Sequence, residues 1–164
     1  MRLMLCITFV CLLLSAGPAS AQIAAINGYD GYRFGMSVEQ AARVRPQAPY
    51  TRCQFQNVVG CVEYETNVAN YKAKVIIQFK GNPVSLGQIV VQFGQIEDPI
   101  EYPCRQAGKV ILGLLIDKYG AHPRTQSHKA TWTSPYGGQV SFTDLCVDDQ
   151  RGLSIVAYSP SNPL

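Results

Sequence analysis

Residues 71–94 read YKAKVIIQFKGNPVSLGQIVVQFG. Side chains alternate sides along a strand, so Val75, Ile77 and Phe79 share one side of the first run. Ile89, Val91 and Phe93 share one side of the second. Gly81-Asn82-Pro83 between them is turn chemistry. The pattern predicts an antiparallel hairpin with one apolar face. Such a face must be covered, and the flanking sequence supplies the cover.

Downstream, Asp98-Pro99 opens a linker and Pro103 suits the first turn of a helix. Apolar residues then recur at Ala107, Val110, Ile111, Leu114, Leu115 and Tyr119, while Arg105, Gln106, Lys109 and Asp117 fit a wet face. Gly120 can end this helix and Pro123 prevents its resumption. The helix is expected to lie across the sheet, with Ile111, Leu114 and Leu115 facing Phe79, Phe93 and Trp132. Strands are expected at 129–133, 139–143 and 153–158, each after turn residues such as Gly137-Gly138.

Upstream, Val58 to Glu65 alternates as a strand, and Tyr29 to Phe34 reads as a first strand. After the Gly35-Met36 turn, Ser37 stands where an N-cap belongs, and Gln40 can close a capping box. Ala41, Ala42 and Val44 make a short helix that Pro46 and Pro49 stop. The fold class is therefore α+β, an antiparallel sheet of about six strands with two helices on one face. A helix precedes a run of strands twice, so two helix-plus-meander units are an open reading of the same order.

The N-terminus has the form of an export signal. Arg2 precedes an apolar run from Leu3 to Leu14, and Ala19-Ser20-Ala21 supplies a small-residue cleavage site. Residues 1–21 are read as a signal peptide. Residues 22–164 are read as one domain, with any subdivision near 97–102, located in the periplasm or secreted. The run is shorter than the ~20 residues a spanning helix needs, and no other segment is long and apolar enough.

Two of the six cysteines leave with that segment. Cys53, Cys61, Cys104 and Cys146 remain, an even number that implies two disulfides in an oxidising compartment. Three pairings are open. The favoured one joins Cys53 to Cys61 and Cys104 to Cys146, worth ~3 and ~4 kcal/mol in the chain-entropy picture. A four-thiolate zinc site would need C-x-x-C spacings that are absent.

Charge excludes little. Fourteen basic and eleven acidic residues give a formal net charge of +3. There is no basic block or aromatic-basic interleaving, so nucleic acid is not implied.

Phe34-Gly35-Met36-Ser37, followed by Val38, Glu39 and Gln40, is similar to a corner in two families of small exported bacterial domains. These are the beta-lactamase-inhibitor proteins and the small outer-membrane assembly lipoproteins. Both open a helix with a Gly-Met-Ser/Thr corner and run into a β-meander. Lys118-Tyr119-Gly120-Ala121-His122-Pro123 echoes their helix ending. The resemblance implies a module that binds another envelope or secreted protein, catalyses nothing and carries no cofactor. Two departures stand out. The chain has no lipoprotein cysteine, and its sheet has no obvious aromatic stripe of the kind used to grip an enzyme.

No nucleophile elbow, phosphate loop, H-E-x-x-H or haem-attachment motif occurs. His122 and His128, the two histidines, lie in one loop without a third ligand in register. Asp148-Asp149 lacks the alternating oxygens of a calcium loop. Glu63 and Glu65 share a strand face, and a buried carboxylate pair could do acid–base work. A small enzyme built on that pair is the alternative to a binding module. Against it, Lys72 and Lys74 on the next strand are natural cross-strand partners. Nine tyrosines are the compositional feature that leans towards binding. Tyr64, Tyr71, Tyr102 and Tyr136, at strand edges or turns, are the candidate binding surface. A half-buried sheet would also use tyrosine.

Overall fold

Two apolar rows run across the central sheet. Tyr64, Val75, Val91, Val156, Phe142 and Ala130 lie opposite one another on successive strands. Beside them, Val62, Ile77, Ile89, Tyr158, Val140 and Trp132 do the same. The alternation in 71–94 is thus one part of a register that continues through the whole sheet. Val75, Ile77, Phe79, Ile89 and Val140 are fully shielded from water. Each such side chain contributes about 1.5–3 kcal/mol on burial.

The computed structural model describes residues 24–53, 55, 57–95, 103–121, 125–126, 128–148 and 151–161. The expected signal peptide, the expected linker at 97–102 with Tyr102, and His122 lie outside the described residues. In chain order the elements are β1 (Gly28–Tyr29), β2 (Tyr32–Arg33), α1 (Val38–Val44), β3 (Tyr50–Thr51), β4 (Gly60–Val68), β5 (Tyr71–Lys80) and β6 (Ser85–Gln95). Then come α2 (Cys104–Tyr119), β7 (Thr125–Gln126), β8 (Lys129–Thr133), β9 (Gly138–Asp144) and β10 (Gly152–Pro160). No helix among the described residues is long and apolar enough to cross a membrane.

The fold is α+β, with an eight-stranded antiparallel sheet in the order β3-β4-β5-β6-β10-β9-β8-β7 and a separate β1–β2 hairpin. Each half runs helix, two-residue strand, then three longer strands. The halves meet where β6 pairs with β10, so the helix-plus-meander order occurs twice. Both sheet edges are two-residue strands, which limits edge-to-edge pairing with other chains. Ala41 of α1 and Ile111, Leu115 and Tyr119 of α2 join the same buried cluster as the two rows.

The Tyr29–Phe34 stretch is a hairpin and not a single strand. Tyr29 pairs with Tyr32 across Asp30 and Gly31, whose φ values are 50° and 86°. Positive φ at both central residues is the turn that Asp-Gly favours, because its twist matches that of the flanking strands.

Helix α2 is fixed at both ends. Cys104, its first residue, is bonded to Cys146 beyond β9. One turn later Gly108 lies against the sheet; a Cβ there would sit 3.0 Å from Ser154 Oγ and 3.4 Å from Asp144 Oδ2. At the other end the Gly120 N–H donates to Ile116 O at 2.7 Å, and Trp132 Nε1 donates to Gly120 O at 2.8 Å. The buried stripe is Cys104, Ala107, Gly108, Ile111, Leu115 and Tyr119. Leu114 was expected against the sheet but is 45% exposed, as it lies about 100° round the helix from Leu115.

The α1 corner is a full capping box. Gln40 N–H donates to Ser37 Oγ at 3.3 Å, and Ser37 N–H donates to Gln40 Oε1 at 2.9 Å. Ser37 Oγ also donates to Glu39 at 2.6 Å. The Ser37 hydroxyl thus both accepts and donates within the corner, as a capping residue can. Ser37→Ala is expected to cost about 0.5–2 kcal/mol. Thermal melts check this, and a melt superimposable on the parent would contradict the capping role.

Candidate functional site

The helical layer does not cover all of the sheet. α1 has seven residues and buries only Ala41. α2, held at Cys104 and Gly108, crosses β6, β10 and β9. Between α2 and the β1–β2 hairpin, a groove with a cavity of about 110 Å³ opens onto the apolar face. Val91, Phe93 and Val156 of the sheet line it, as do Ile111, Leu114 and Leu115 of α2. Tyr29, Tyr158 and Val68 complete the apolar lining among the described residues, and Lys118 is the one charged residue among them. Val110, 38% exposed, lies one helical turn before Leu114 on the outward side of α2 and extends the apolar surface.

The β1–β2 hairpin forms part of this lining. Tyr29 stacks on Tyr158 with ring centroids 5.3 Å apart. Burial pushes the Tyr158 hydroxyl above its ordinary pKa, helped by the neighbouring Tyr119 and Tyr29. Burial does the same to Tyr29, with the Asp30 carboxylate adding to it. Both phenols therefore stay neutral across the physiological range.

The hairpin is latched by its turn. Asp30 Oδ2 accepts from Arg45 Nη2 at 3.1 Å and from Tyr64 Oη at 2.8 Å. The Arg45 guanidinium lies 3.9 Å above the Tyr64 ring, and Tyr64 stacks beside Tyr32. The latch joins β2's turn, the residue that ends α1, and β4. Burial and then the hydrogen bond to Asp30 hold the Tyr64 pKa far above its ordinary value. Tyr32 Oη, fully buried nearby, has no hydrogen-bond partner among the described residues.

The tyrosines singled out from the sequence do not form one surface. Tyr64 faces the core side in the latch. Tyr71 pairs with Val68 at the tip of the β4–β5 hairpin, beside the groove. Tyr136 is 70% exposed on the β8–β9 turn, at least three strands away and at the other end of the strands from Tyr71. Tyr102 is outside the described residues.

Glu63 and Glu65 lie on the opposite, uncovered face. Lys74 Nζ is 2.6 Å from Glu63 Oε2, and Lys74 is also the cross-strand neighbour of Glu65. Glu63 is thus ion-paired and half-buried and Glu65 is exposed, which is not a buried acid–base couple. Cys53 is bonded to Cys61 and Cys104 to Cys146. Two trios have metal-ligand proximity, Cys53-Cys61-Glu63 and Cys104-Asp144-Cys146. In each, the cysteines are spent on a disulfide, so no thiolate is available to a metal. His128 is exposed.

No family model, curated protein or solved structure matches the chain.

The groove escaped the sequence reading because its lining comes from hairpin, sheet and helix together. One signal was present: Asp30-Gly31 between two tyrosines marks the hairpin that walls it.

The Tyr64 shift has a consequence for stability against pH. The folded pKa lies above the unfolded value of about 10, so the stabilisation is complete below that value and is lost as pH rises through and beyond it. Tyr64→Phe removes both the titration and the hydrogen bond to Asp30, and is expected to cost about 0.5–1.5 kcal/mol at neutral pH. The variant should also lose stability less steeply above pH 10. Urea unfolding from pH 7 to 11 measures both effects.

Proposed function

We propose that this chain is a non-catalytic binding module of the periplasm or extracellular space, and that the groove beside α2 receives an apolar side chain of a protein partner. The observation that carries this reading is an open apolar cavity that runs into the exposed Leu114 and Val110. Interfaces are anchored by single apolar or aromatic residues seated in such pockets, with neighbouring contacts excluding water. At about 110 Å³ the cavity suits one leucine- or phenylalanine-sized group. Among the described residues its lining holds no convergent set of acid, base and nucleophile of the kind a catalytic centre needs.

The extracytoplasmic setting is supported by the N-terminal signal pattern and by two disulfides, which persist in oxidising compartments. An enzyme built on Glu63 and Glu65 has less support, because Glu63 is ion-paired to Lys74 and Glu65 is exposed.

Site-specific photo-crosslinking tests the reading. A photoreactive residue at Leu114 should give a discrete adduct in the native envelope or secreted fraction, and one at Thr143 on the opposite face should not. A second substitution that blocks the groove, Val68→Trp, should abolish the adduct at 114. Crosslinks at 143 and none at 114 would move the contact to the open sheet face and refute the reading.

A further inference from the structure

The groove carries charge at one point. Among the described residues Lys118 is its one charged lining residue, and the remainder of that lining is aliphatic or aromatic. Its ammonium stands 5.2 Å from the Tyr119 ring centroid. No carboxylate within ion-pairing distance of Lys118 occurs among the described residues. Asp30, which follows the lining residue Tyr29, is already held by Arg45 and Tyr64. An apolar group seated in the cavity lies beside this exposed lysine, so a carboxylate carried next to that group can pair with the ammonium.

We infer that the groove selects an acidic-apolar peptide segment: one leucine- or phenylalanine-sized side chain in the cavity, with a carboxylate beside it that pairs with Lys118. This rests on the groove being the binding site and adds the chemical class of its occupant. The apolar body is set by the volume and lining, and the sign of the charge by Lys118. Lys118 is then the specificity-determining residue: affinity for the apolar body comes from the cavity, and preference for the anion from the lysine. Because the ammonium is exposed at the mouth, the preference is modest and weakens with salt.

The test uses two probes of the same shape, N-acetyl-L-leucine and N-acetyl-L-leucinamide, titrated into the disulfide-bonded protein and followed by NMR. At low salt the acid should bind about two- to fivefold more tightly than the amide, with shifts at Leu114, Leu115 and Val156. In Lys118→Gln that difference should vanish while the amide binds as before. In Lys118→Glu the amide should be preferred. Equal affinities for acid and amide in the parent protein overturn the anion selectivity and leave the groove reading standing. Binding of neither probe, or shifts confined to the opposite sheet face, overturns both.

Discussion

The close approach of α2 to the sheet at Gly108 governs the arrangement of everything around it. A Cβ there would sit 3.0 Å from Ser154 Oγ and 3.4 Å from Asp144 Oδ2, so glycine lets the helix settle beside β9 and β10 without displacing either side chain. The Cys104–Cys146 bond four residues earlier holds the same end of the helix to the same strands. With that end fixed, the buried stripe is decided, and so is the outward position of Val110 and Leu114. The groove lies between the exposed side of α2 and the latched β1–β2 hairpin, which contributes Tyr29 to its lining.

The long-range register was legible where the chemistry was local and periodic. Alternation at Val75, Ile77, Phe79 and Ile89, Val91, Phe93 read directly as a hairpin, because a one-residue slip would turn every one of these side chains to water. Ser37 and Gln40 read as a capping box for the same reason: the partners are three residues apart. The α+β class and the repeated helix-then-strands order followed from the succession of these elements. The wrong detail was equally physical. Leu114 belongs to an apolar helix pattern broad enough to allow two orientations, and the choice between them is made by Gly108 and Cys146, which local periodicity does not register. Tyr29–Phe34 read as one strand because its apolar and aromatic residues outweighed the Asp-Gly turn at its centre.

The candidate site belongs to the part that local sequence does not encode. Tyr29, Val68, Val91, Leu114, Lys118 and Val156 come from five elements. None carries a motif, and each has an ordinary reading in isolation. What joins them is tertiary packing: helix, hairpin and sheet meet around one apolar cavity. A binding function for such a place needs no reactive group, only shape, apolar surface and one charge at the edge. That agrees with a chain in which the cysteines are spent on disulfides and the paired glutamates face water beside a lysine.

The account stands on the orientation of α2, and two adjacent residues measure it. Leu115 is 6% exposed and Leu114 is 45% exposed. Leu114→Asp and Leu115→Asp compared by equilibrium urea unfolding should differ sharply. Leu114→Asp should change stability by no more than about 0.5 kcal/mol, as surface substitutions do. Leu115→Asp places an unpaired charge in the core and should cost more than about 3 kcal/mol or prevent folding. Equal losses for the two, or a larger loss at 114, would mean that α2 turns a different face to the sheet and that the groove does not exist.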